Sequence, residues 1–153
     1  MGTYVAGFSR AGINTANSPV AALINTATTT RIRVFEIGVG VAVAPTTAPM
    51  FYLSRVTARG TQTTTLVSQA LDGGDPAAAG TLDSVWSVNP TFSTSAYLTM
   101  GGLATTAGGF LVWQFYDDPL MIPATVGAGI CIANVNASGA TTGTFAGYFK
   151  THE

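Results

Sequence analysis

The chain has 153 residues, of which 6 are Lys or Arg and 7 are Asp or Glu, so only 8% is charged and the net charge is −1. An ordinary soluble domain is about 25% charged; here a monomer of about 7,000 Å² would carry roughly one charge per 550 Å². Six scattered cations exclude binding to nucleic acid through phosphate neutralisation, and a hydrophobic content of 47% with near-zero net charge argues against disorder. Too few Glu and Lys remain to clothe helical faces, and 18 Gly and 7 Pro break the chain into short pieces. The expected molecule is one compact, turn-rich domain whose surface is covered by other protein.

In chain order, residues 1–17 place Tyr4, Phe8 and Ile13 among Gly, Ala, Ser, Asn and Thr. They form either a first edge strand or an arm that adds a strand to a neighbour. Beyond them, period-two patterning predicts strands over Val20–Asn25, Arg31–Val43, Met50–Ala58, Asp83–Val88, Ala96–Met100, Phe110–Tyr116, Gly129–Val135 and Thr144–Lys150. The breaks hold turn residues: Ala-Pro-Thr-Thr-Ala-Pro at 44–49, Asp-Gly-Gly-Asp-Pro at 72–76, Asn-Pro at 89–90, Gly-Gly at 101–102 and 108–109, Asp-Asp-Pro at 117–119 and Ser-Gly at 138–139. Strands at this spacing without helical segments predict an all-β antiparallel sandwich or barrel.

Two strands read as apolar on both faces. In Arg31–Val43, parity groups Phe35 with Ile37, Val39, Val41 and Val43, and Ile32 and Val34 with Glu36, Gly38, Gly40 and Ala42. In Phe110–Tyr116, it sets Leu111, Trp113 and Phe115 against Phe110, Val112, Gln114 and Tyr116. A solvated sandwich alternates apolar-in with polar-out, so the second face is expected to lie in an assembly contact. The 24 threonines favour strands and satisfy edges without charge.

Little supports catalysis or a cofactor. The one histidine, His152, is penultimate, and with the single Cys131 it makes no zinc set. Cys131 sits in an apolar run and reads as a buried small hydrophobe. Asp117 and Asp118 precede Pro119 and read as a turn; Asp72-Gly-Gly-Asp75, with Asp83 as the one further carboxylate nearby, reads as a turn over a calcium loop. No phosphate-binding glycine motif occurs, and the lone lysine is Lys150. The expectation is a protein that is no enzyme and has no metal and no cofactor. Asn136-Ala137-Ser138 matches the glycosylation sequon, but the first ten residues lack a signal peptide's pattern, so the match is taken as chance. The most apolar stretch, Val34–Ala44, contains Glu36 and is too short to span a membrane.

Several segments together resemble small head proteins of tailed bacteriophages, in particular jelly-roll decoration, or cement, proteins. They are the strand Arg31-Ile32-Arg33-Val34-Phe35-Glu36-Ile37-Gly38-Val39, Ser68-Gln69-Ala70-Leu71-Asp72 followed by Asp75-Pro76, and Pro119-Leu120-Met121-Ile122-Pro123-Ala124 before a Gly-Ala-Gly strand. The resemblance covers about residues 20–150 and implies an eight-stranded jelly roll over 18–153. It also implies a homotrimer, made in the host cytoplasm, on the outer capsid surface, bridging capsomers of the major capsid protein. Expected interface residues are Tyr4, Phe8, Arg10, Ile13, Arg55 and Arg59; the alternative for the cations, with Arg31 and Arg33, is to keep strand rims soluble. Two other functions compete. One is a carbohydrate-binding jelly roll using Trp86 or Trp113 as a platform; the other is a tail, fibre or minor spike subunit.

Overall fold

The computed structural model describes residues 2–13, 16–135 and 141–153, apart from the side chains of 12, 13, 141 and 142. The Asn136-Ala137-Ser138 sequon, the Ser138-Gly139 break and the side chain of Ile13 lie outside the described residues. Thirteen strands and no helix occur among the described residues: β1 Thr3–Ile13, β2 Ser18–Asn25, β3 Ile32–Val43, β4 Met50–Ala58, β5 Thr61–Val67, β6 Gln69–Ala70, β7 Gly80–Val88, β8 Thr91–Phe92, β9 Thr99–Gly102, β10 Phe110–Gln114, β11 Leu120–Ile122, β12 Gly129–Asn134 and β13 Thr141–His152.

They form two antiparallel sheets packed as a β-sandwich. One runs β10-β3-β13-β1-β6, with β11 also paired to β3. The other runs β5-β7-β2-β12-β4-β8, with β9 also paired to β4. The pairings nest: β1 with β13, β2 with β12, β3 with β10 and β11, β4 with β8 and β9. Residues 3–13 are thus a strand of the sandwich, held between β13 and β6.

The core lies between the sheets. Phe8, Ile37, Val39, Phe145 and Phe149 face Leu23, Phe51, Leu53, Leu82, Ile130 and Ile132. Phe51 and Phe145 meet across it edge to face, centroids 5.1 Å apart, an arrangement aromatic quadrupoles favour. In β10 the inward residues are Leu111 and Trp113, as parity predicts. In β3 parity fails. Lys150 pairs with Glu36 and Thr151 with Val34, leaving Phe35 as an extra residue. This bulge keeps Ile32 and Val34 inside with Ile37, Val39 and Val41 and moves Phe35 away from them, against the His152 ring at 4.5 Å.

A second, smaller core explains much of the apolar patterning. Ala22, Ile24, Tyr52, Val56, Cys131 and Ala133 lie on the other side of the β2-β12-β4 sheet and are all buried. β7 begins paired to β2, and only Asn89-Pro90 separates it from β8, which pairs with β4. The chain therefore crosses that face, bringing Trp86 and Phe92 onto it. Tyr97 follows at 4.4 Å from Tyr52, and Ser54 Oγ donates to the Ser93 carbonyl at 2.9 Å. On this outer face the cover is the protein's own chain.

Candidate interaction surface

The opposite outer face belongs to β10-β3-β13. Gly38 and Gly40 of β3 have no side chain there, and the flanking strands fill the space. A Cβ on Gly38 would lie 2.6 Å from Tyr148 Cε1 and 2.8 Å from Phe110; one on Gly40 would lie 2.3 Å from Phe110 Cδ2. The two rings lie nearly parallel, 6.1 Å apart, over glycines whose missing Cβ atoms make room. At the end of this aromatic floor, Glu36 accepts hydrogen bonds from the Tyr116 hydroxyl, from Tyr148 Oη at 2.7 Å and from Gln114 Nε2 at 3.3 Å. The Tyr116 and Tyr148 donors hold the Glu36 carboxyl below its ordinary range. Burial, then the hydrogen bond to Glu36, pushes Tyr148 up to about 12. Lys150 Nζ sits 5.3 Å from the Phe35 ring centre.

This face runs into an edge of the sandwich that is apolar and open. Phe110, Val112 and Tyr116 are 53%, 39% and 55% exposed, and on the other sheet Met50 of β4, Leu98 just before β9 and Met100 of β9, which is paired with Tyr52, are exposed. The edges of the two sheets meet here, since a Cβ on Gly101 of β9 would lie 2.5 Å from Leu111 Cδ2. β10 itself, Phe-Leu-Val-Trp-Gln, carries no charge.

Of the six residues expected at an interface, Tyr4, Phe8, Arg10 and Ile13 lie on β1, Arg55 on β4 and Arg59 just after it. Tyr4 and Phe8 turn inward and are buried, with Tyr4 Oη donating to the Pro76 carbonyl at 2.9 Å. Arg10 is half-buried on the same strand, and burial lowers its pKa. Ile13 pairs with Thr141 through its backbone. Arg55 Nη1 donates to the Met121 carbonyl of β11 at 2.6 Å, tying one sheet to the other. Arg59 clamps the fully buried Asp83, Nε to Oδ2 at 2.7 Å and Nη2 to Oδ1 at 2.9 Å, while Thr65 donates to the same carboxylate at 2.8 Å. Arg55 and Arg59 thus have partners within the chain; Arg31 and Arg33 are exposed.

Asp72 caps its own turn, accepting from Gly74 N at 2.9 Å, and among the described residues no three His, Cys, Asp or Glu side chains group as metal ligands would. Trp86 and Trp113 are 9% and 8% exposed, so neither offers a ring face to a sugar. The exposed aromatics among the described residues are instead Tyr97, Phe110 and Tyr116; parity assigns the last two to the outer face although nothing in it marks them as uncovered. No family model matches the chain, and no curated protein matches it either.

Proposed function

We propose that the chain is a virion structural protein, a decoration protein that binds the outer surface of a tailed-bacteriophage capsid as an oligomer and bridges capsomers of the major capsid protein. The observation that carries this reading is the apolar edge where β9 and β10 meet, with Met50, Leu98, Met100, Phe110, Val112 and Tyr116 exposed on a molecule of 13 charged residues. Such a surface suits contact with protein more than with water. The nested pairing of β1 to β13, β2 to β12, β3 to β10 and β4 to β8 supports a jelly roll, a fold that capsid proteins use. The homotrimer is part of the proposal and follows from the resemblance to phage head proteins. Several modest contacts per oligomer add through effective concentration, so each need not be strong. The sugar-binding alternative loses its two indole platforms to burial.

The test is co-sedimentation of the purified protein with undecorated expanded capsids, at low salt and at about 1 M salt, where charge–charge attraction is screened within about 3 Å. Binding retained at both is expected. Binding lost at high salt, or absent at both, counts against an apolar clamp on the shell.

A further inference from the structure

We propose that two copies of this chain join through β10, edge to edge and antiparallel, about a two-fold axis at Val112. The proposal rests on the assembling character argued above, but not on the capsid as partner.

The backbone sets the geometry. β10 pairs with β3 from Phe110–Gly40 to Gln114–Glu36 without a bulge, and has no strand on its other side among the described residues. Val41 N donates to the Gly109 carbonyl at 2.9 Å and Phe115 N to the Phe35 carbonyl at 2.8 Å. Residues of odd number in β10 therefore bond to β3. Hydrogen-bonding direction alternates along an antiparallel strand, so Phe110, Val112 and Gln114 turn their N–H and C=O groups to the open side. An antiparallel copy centred on Val112 sets Val112 against Val112 and Phe110 against Gln114. Each of those facings is a hydrogen-bonded pair, so every outward backbone group of the strand is satisfied by its twin.

Side chains agree with this pairing. Edge strands are normally guarded by charge, proline or a bulge, and β10 has none of these. The nearest acidic side chain, Glu36 of β3, is held by Gln114, Tyr116 and Tyr148 of its own chain, and the next is the turn at Asp117 and Asp118. Antiparallel pairing lays this turn beside the neighbour's Ala104–Gly109 loop, which is uncharged, so like charges are kept apart. The exposed Phe110 and Val112 then continue the aromatic floor from one copy into the next. A three-fold contact would use another surface, so the pairing links trimers as readily as single chains.

Val112→Pro is the direct probe. It deletes an N–H that faces outward and leaves the bonds to β3 in place. Val112→Lys tests the same edge by charge. Sedimentation velocity should give half the wild-type mass for both. Near-UV circular dichroism and an unreactive Cys131, which is fully buried with its thiol pushed up to about 12, report an intact fold. Cysteine scanning reads the register. Facing Cα atoms in a hydrogen-bonded pair lie about 5.5 Å apart, within disulfide reach. Val112→Cys should therefore form a covalent dimer on mild oxidation, Phe110→Cys alone should not, and a mixture of Phe110→Cys with Gln114→Cys should. Equal masses for wild type and both folded Val112 variants, or equal cross-linking at 110 and 112, would overturn the proposal. Capsid binding separates it from the functional reading. Pairing at Val112 without binding to heads keeps the edge and removes the capsid; head binding by a chain of unchanged mass does the reverse.

Discussion

At the scale of single residues, two acidic side chains show how scarce charge is used. Asp83 is fully buried and held by Arg59, itself about a quarter exposed. Removing Arg59 strands a buried carboxylate, and breaking one side of such a pair costs about 3–5 kcal/mol. Arg59→Ala should lower the urea midpoint by the equivalent of about 3 kcal/mol with an unchanged slope. Asp83→Ala should cost less, since the freed guanidinium can reach water. Glu36 is the opposite case, a half-buried carboxylate with no cation clamped to it, favoured in its charged form by Tyr116 and Tyr148. Its folded pKa is depressed, so its contribution is present above the unfolded value and is lost as pH falls through the folded one. In Tyr116→Phe the Glu36 carboxyl should titrate nearer its ordinary range, followed by carbon NMR of the side chain; an unmoved titration would remove Tyr116 as the main cause.

Among the elements, glycine decides where strands come close. β12 lies between β2 and β4, and a Cβ on Gly129 would sit 2.2 Å from the Leu23 carbonyl oxygen. Because that neighbour is backbone, Gly129→Ala must displace β2 and should cost about 1–3 kcal/mol or more. Gly73→Ala, in a turn with nothing within 4 Å, should stay within about 0.5 kcal/mol; thermal melts of the two variants check the contrast. The same close reading of strands explains what sequence can tell. The interiors of β3, β4, β10, β12 and β13 fall within predicted strands because Val, Ile, Phe and Trp repeat at period two. β5 lies outside the predicted strands because Thr-Gln-Thr-Thr-Thr-Leu-Val lacks apolar alternation, though its threonines favour strands. The Phe35 bulge left no mark, since one inserted residue keeps composition intact while reversing parity. Nor could parity tell which apolar faces the chain itself covers. Val56 and Val112 read alike along their strands, yet Trp86 and Phe92 pack in the cluster that buries the first, while the second stays exposed.

For the whole molecule, nesting makes folding depend on contacts between distant segments. β13 lies between β3 and β1, so one sheet closes only when the two ends of the chain meet. The other sheet needs β12 between β2 and β4 before β7 and β8 can lie across it. Loop-closure entropy is thus spent before most native contacts form, and folding in milliseconds to seconds is expected. The two tryptophans sit in different places, Trp113 in the core between the sheets and Trp86 in the outer cluster. Trp86→Phe and Trp113→Phe leave one probe each. Because the outer cluster is built on a sheet that itself needs β12, neither probe has a native surrounding until the distant strands have paired. Both variants should therefore refold with the same single time constant in stopped-flow fluorescence. If the Trp86 signal settles ahead of the Trp113 signal, the β5–β7 segment folds as a separate unit and the dependence on β12 is wrong.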